Sequence, residues 1–151
     1  MKKIIYLMLA ILSCAIFSSY VHAAERGNAE EAQAMVKKAV VYIKKYGKDK
    51  AYAEFNNPQG LFRDRDLYIV VFDMNGLGLA HINPRLIGKV TGDIKDADGK
   101  LIFHAQRKLA MEQGSGWVDY KWPNPVTGRI ESKSTYLEKF DDLMIMCGIY
   151  K

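Results

Sequence analysis

The spacing of hydrophobic positions changes several times along this chain, and each change marks an element. Ala32, Val36, Ala39, Val40, Ile43 and Tyr46 recur three and four apart, the signature of one helical face. Asn28, with Glu31 three residues on, has the form of a capping box ahead of that run, and Gly47 closes it. The predicted helix is about 18 residues, or about 27 Å, long. Lys37, Lys38, Lys44 and Lys45 fall mostly on its other faces and read as a solvated surface. A second, short helix is predicted over Lys50 to Asn56, ending ahead of Pro58.

Beyond these helices the pattern shortens to that of strands. Leu67 to Asp73 (LYIVVFD) is β-branched and aromatic, as in a buried strand. Asn75-Gly76 predicts a tight turn, with a return strand over Leu79 to Ile82. Asn83-Pro84 breaks that strand, and a helical turn is expected over Pro84 to Ile87. Asp96 to Gly99 is a turn without the ligand spacing of a calcium loop. A third helix is predicted over Leu101 to Gln113. Strands then follow over Trp117 to Trp122, Ile130 to Phe140 and Leu143 to Tyr150. In the first of these, Val118, Tyr120 and Trp122 share one face, and Trp117, Asp119 and Lys121 share the other. Strands joined by tight turns are antiparallel. The expected fold class is therefore α+β: one antiparallel sheet, the long first helix on one face and the third helix on the other.

The first residues change the picture of location. Lys2 and Lys3 precede an uncharged stretch from Ile4 to Val21, and Val21-His22-Ala23 has a small-residue cleavage pattern. This reads as an export leader over residues 1–23 cut after Ala23, with 24–151 as a single domain. If the leader were left uncleaved it would be long enough to anchor the chain in a membrane. Without Lys2 and Lys3, the 22 basic residues fall to 20 against 17 acidic, a net charge of +3. The lysines alternate with acids, so nucleic-acid binding has no support. Cys14 lies in the leader. Cys147 stands alone in an apolar run and reads as a small buried hydrophobe.

Chemical motifs are mostly missing from the sequence. It holds no HExxH, CxxC or glycine-rich phosphate loop. Ser115 lacks the glycine spacing of a nucleophile elbow. His81 and His104 have no paired carboxylates on a strand face beside them. Neither an enzyme nor a metal or other cofactor is expected. What stands out is WVDYKWPNPVTGRIESKSTY, Trp117 to Tyr136, with three large aromatics within six residues. Trp and Tyr each offer an apolar body and one polar atom, which suits a small ligand pocket, and a lysine at the mouth of such a pocket would pair with an anion. Tyr120 and Trp122 read as pocket lining. Trp117 taken alone reads rather as sheet core, and Lys133 reads equally as a pocket-edge lysine and as an exposed strand lysine. Tyr68 and Phe72 share a face of the first strand, a wall that His81 extends.

Several ordered blocks resemble a known family: DRDLYIVVFDMNG (Asp64 to Gly76), AHINPRLIGK (Ala80 to Lys89), GSGWVDYKWPNPVTG with KSTY, and the final GIY. They are similar to the single Cache domain of type 2, the extracytoplasmic sensing part of chemotaxis receptors and histidine kinases. The resemblance spans nearly all of 24–151. It implies a PAS-like, five-stranded antiparallel sheet with a long N-terminal helix on one face and a ligand pocket on the other. It also implies small ligands, often short-chain carboxylates. By position, the ligand residues it implies are Tyr68, His81, Tyr120, Trp122, Lys133 and Tyr136, with Arg85 as a neighbour, and the aromatic block adds Trp117.

The expectation is thus an exported sensory module, periplasmic or secreted, that captures a small organic anion non-covalently. The chain ends at Lys151, just after the last strand, so the module is expected to stand free and to work with a membrane receptor or histidine kinase. Two rival readings use the same residues. One is an aromatic cage of Trp117, Tyr120, Trp122 and Tyr136 around a small cation. The other is a protein-interaction module whose pocket is filled by side chains.

Overall fold

The structure is a computed structural model and describes residues 25–151. The expected leader, its cut after Ala23 and Cys14 lie outside the described residues. No helix among those residues is long and apolar enough to cross a membrane.

Helix α1 (Ala29–Tyr46) begins at the capping box read from the sequence. The Glu31 N–H donates to Asn28 Oδ1 at 2.9 Å, and the Asn28 N–H donates back to Glu31 Oε2 at 3.0 Å. Two otherwise orphaned donors are satisfied this way. Ala32, Val36, Ala39 and Ile43 form its buried stripe. Gly47, at φ 81°, ends α1 and starts α2 (Lys48–Asn56) in one residue, a backbone turn that side chains disfavour. That economy places α2 two residues earlier than the sequence suggested.

The strands are β1 (Arg63–Asp64), β2 (Leu67–Asp73), β3 (Gly78–Ala80), β4 (Ser115–Pro123), β5 (Ile130–Phe140) and β6 (Leu143–Tyr150). Helix α3 (Ile102–Gln113) precedes β4. Every strand pairing is antiparallel. Laterally the order is β2-β6-β5-β4, and β1 and β3 both pair with the free edge of β2. Among the described residues the sheet thus has six strands where five were expected. The extra one, β1, is two residues long and turns into β2 through Arg65 at φ 54°. Strand β3 is shorter than expected, because the His81 N–H is taken by Asn56 Oδ1 at 3.0 Å instead of continuing a ladder. A 3₁₀ turn follows over Pro84–Leu86.

Side chains alternate across the two central strands. Leu67, Ile69 and Val71 of β2, with Leu143, Ile145 and Cys147 of β6, pack beneath α1. Phe72, Met144 and Met146 face the other way, where Phe103 and Ala110 of α3 close over them with Val118 and Leu137. Each fully buried Leu or Ile stabilises the fold by about 1.5–3 kcal/mol.

Asn28→Ala removes one half of the capping box and leaves the apolar stripe intact. Urea denaturation should show a loss of about 1 kcal/mol. An unchanged midpoint would mean that α1 is held by its packing alone.

Candidate functional site

The face of the sheet turned away from α1 holds a cavity of about 50 Å³. At roughly 10–15 Å³ for each water-sized body, this is space for about three to five non-hydrogen atoms. Tyr68, His81, Tyr120, Trp122 and Lys133 all line it, joined by Thr135 and Gln106. Phe72, Ile94, Ile102, Phe103 and Met146 form its apolar part. The cavity is open, so the reading of a pocket plugged by side chains does not describe it.

Lys133 is the centre of the polar part, and strand register puts it there. Tyr120 of β4 and Tyr150 of β6 are its direct partners on either side. Its long stem crosses β6 over Gly148, where an added Cβ would overlap Lys133 Cε and press on Thr135 Oγ1. The glycine of the GIY block is therefore what lets a lysine lie flat inside the sheet face. The residue ends up 3% exposed, not at a solvent-facing mouth as expected. Its Nζ donates to Tyr68 Oη at 2.6 Å and to Tyr150 Oη at 3.2 Å, and sits 4.3 Å and 4.5 Å from the centres of those two rings.

Counting protons shows what is left over. The Tyr150 hydroxyl donates its hydrogen to the Pro123 carbonyl at 2.8 Å, so towards Lys133 it only accepts. The Tyr68 hydroxyl accepts from Lys133, and its own proton has only a 3.4 Å contact with Tyr150 Oη. Lys133 uses two of its three N–H bonds. His81, held by Asn56 at its backbone, accepts the Asn83 N–H on Nδ1 at 2.8 Å, so the ring proton is on Nε2. Among the described residues, nothing accepts that proton, and the ring lines the cavity 6.0 Å from Tyr68. Among the described residues one ammonium N–H and one imidazole N–H are thus uncommitted, and the Tyr68 hydroxyl has only its long contact with Tyr150.

The electrostatics match this count. Among the described residues no carboxylate lies within 4.0 Å of Lys133. Burial pushes its ammonium down to about 7, and Cys147 and Asp66 offset this only in part. Burial, with the Lys133 charge behind it, lowers His81 to about 4, so it stays neutral at ordinary pH. Burial raises the Tyr68, Tyr120 and Tyr150 hydroxyls, which remain protonated donors. Tyr120 Oη and Thr135 Oγ1 share a hydrogen bond of 2.8 Å beside this cluster.

Two of the expected ligand residues do not join the others. Trp117 and Tyr136 are register partners whose rings pair at 5.4 Å on the α1 side of the sheet. Strand alternation puts them opposite Tyr120 and Lys133. The four-aromatic cage is therefore not assembled, since Tyr120 and Trp122 stand on one face and Trp117 and Tyr136 on the other. Arg85 is in the 3₁₀ turn, whose Leu86 lines the cavity instead. Tyr150 and Gly148, met only within the GIY block, and Gln106 were not named as site residues from the sequence. The alternation Met144, Met146, Gly148, Tyr150 was the signal that could have found two of them.

The comparisons with known proteins agree with this architecture. The profile of the single Cache domain 2 family matches residues 14–151, and the chain belongs to that family. It is therefore a sensory, ligand-binding module of the extracytoplasmic type found in receptors, and not an enzyme. It is 32% identical over 90 residues to the methyl-accepting chemotaxis protein McpP of Pseudomonas putida, a match covering 58% of this chain but only 16% of that receptor's length. The structure resembles that of a methyl-accepting chemotaxis protein from Vibrio parahaemolyticus, with a TM-score of 0.71 and 23% identity over 80% of this chain and 86% of that one. It also resembles a Cache chemosensory domain studied for carboxylic acid recognition, with a TM-score of 0.70 and 24% identity over 80% and 91% of the two chains.

The Lys133 value of about 7 lies below the usual unfolded lysine value of about 10.4. Between these values the unfolded chain binds the extra proton, so this group's contribution to stability rises with pH through that window. Below about pH 7 the burial penalty is fully present. Lys133→Met should therefore be more stable than the native protein, by about 1–4 kcal/mol near neutral pH. The gap should shrink as pH approaches 10. Denaturation curves of both proteins at pH 6 and pH 9.5 would show it, and a gap that does not vary with pH would contradict the assignment.

Proposed function

We propose that this domain captures a short-chain organic monocarboxylate non-covalently, and that it does so outside the cytoplasm as the sensing part of a chemotaxis or kinase signalling system. The observation that carries the reading is the Lys133 ammonium, buried with no carboxylate beside it among the described residues and flanked by the weakly held Tyr68 hydroxyl and the His81 N–H. A ligand carboxylate supplies the missing charge. It accepts from Lys133 Nζ, from the Tyr68 hydroxyl and from His81 Nε2, while the Phe72–Phe103 end takes a tail of one or two carbons. The size of the cavity favours such a short acid over a long one. Carboxylic acid recognition by the Cache chemosensory domain of one structural relative agrees with this chemistry. An export leader over residues 1–23, removed after Ala23, would deliver domain 24–151 to the periplasm. The kinship with a methyl-accepting chemotaxis protein supports a membrane receptor as the partner, with a histidine kinase as the other class that the family resemblance implies.

Binding of this kind is linked to protons. A bound anion favours the charged lysine and moves its titration upward from about 7. Affinity should be flat between about pH 5 and 7, then fall by up to about tenfold per unit above that, with proton uptake on binding. A charge-assisted contact is worth about 1.5–3 kcal/mol, about tenfold to over a hundredfold in affinity. Titration calorimetry with propionate should show such a loss for Lys133→Met and little change for Trp117→Phe, whose ring is on the far face. Propionate binding that survives in Lys133→Met, or that strengthens above pH 8, would overturn the reading.

A further inference from the structure

We propose that Lys133 is also a carbonyl-reactive amine, and that a small uncharged aldehyde entering the same cavity condenses with its Nζ to form a reversible imine. The inference rests on the reading that this cavity admits short-chain ligands, and it adds a second ligand class with different chemistry.

A buried amine without a counter-ion has three ways to relieve the cost of its charge. It loses the proton, gains an anion, or becomes a neutral nitrogen covalently. The first leaves a lone pair on Nζ, and burial makes that state well populated near neutral pH. Lysines on the surface, such as Lys37 and Lys108, have no comparable burial. The cavity has space for a reactant of three to five heavy atoms, as estimated above, directly beside the amine. Tyr68 Oη, 2.6 Å from Nζ, carries a proton with no strong acceptor, and a neutral imine nitrogen would accept it where an ammonium cannot. The other groups facing Nζ are Tyr150, Tyr120 and His81, all held neutral, with Asp66 and Cys147 further off. None is a carboxylate at contact distance that would fix the amine as its cation.

The chemistry balances without an outside oxidant or reductant. The Nζ lone pair adds to the carbonyl carbon, and the nitrogen proton passes to the former carbonyl oxygen. The C–O bond of this carbinolamine then breaks as the nitrogen lone pair forms C=N. The departing hydroxyl takes a proton from the Tyr68 hydroxyl and leaves as water, and the nitrogen's remaining proton restores the tyrosine. One aldehyde and one amine give one imine and one water.

The test is reductive trapping on the full chain at pH 7.5, with propanal and limiting cyanoborohydride, read by peptide mass spectrometry. Lys133 should be propylated at least about tenfold faster than Lys37 and Lys108, because the gain in neutral amine outweighs its lower basicity. Saturating propionate should protect Lys133 and leave the surface lysines unaffected. Tyr68→Phe, with its fold checked by circular dichroism, should label more slowly at Lys133 alone. Labelling of Lys133 no faster than the surface lysines overturns the proposal. If propionate still binds by calorimetry in that case, the anion reading stands without it. Fast labelling in a protein that binds no propionate would support the imine and sink the anion reading.

Discussion

An ammonium group taken out of water without a negative partner is among the least comfortable arrangements a protein interior can hold. Among the described residues Lys133 is in that position, and much of the distal sheet face is arranged around it. Two tyrosine hydroxyls solvate the group from β2 and β6, and their own position depends on the register of those strands. Tyr150 is in turn committed to the Pro123 carbonyl at the end of β4. The lysine therefore ties three strands together through hydroxyls that only accept from it. This arrangement solvates the charge without neutralising it, as the proposed reversible capture of an anion requires.

The fold makes this possible by giving the two faces of one sheet different tasks. Beneath α1, Ala32, Val36, Ala39 and Ile43 meet Ile69, Val71 and Ile145 in a dry, close-packed layer. On the opposite face the packing stops short. The Phe103 side of α3 covers the apolar end, and the polar end is left hollow. Asn56, at the last position of α2, donates to the Leu79 carbonyl at 3.2 Å and accepts from the His81 backbone. The helix layer on one side thus fixes a histidine that lines the cavity on the other.

Much of this was readable in advance, and the parts that were not share a cause. Strands β2, β5 and β6 announce themselves by β-branched and aromatic runs between clear turns, and their bounds coincide with the expected ones. Strand β1 does not, because its turn relies on Arg65 in a left-handed conformation that its residue type does not signal. In the site, alternation along β4 separates Trp117 from Tyr120 and Trp122, and the same rule along β5 separates Tyr136 from Lys133. The density of aromatics in that block obscured a period that was already in the sequence. The depth of Lys133 was not legible at all. It depends on the space above Gly148, which is a neighbour only once β5 and β6 have paired. Local pattern gives the elements and their faces; burial of a single side chain is a property of the assembled register.

The central claim is that Lys133 is a buried amine awaiting an anion. The most direct measurement is a site-resolved NMR titration of the Lys133 side chain, without and with saturating propionate. The account predicts a midpoint near 7 in the free protein and a clear upward displacement in the complex. A midpoint at the ordinary lysine value in both states would contradict it.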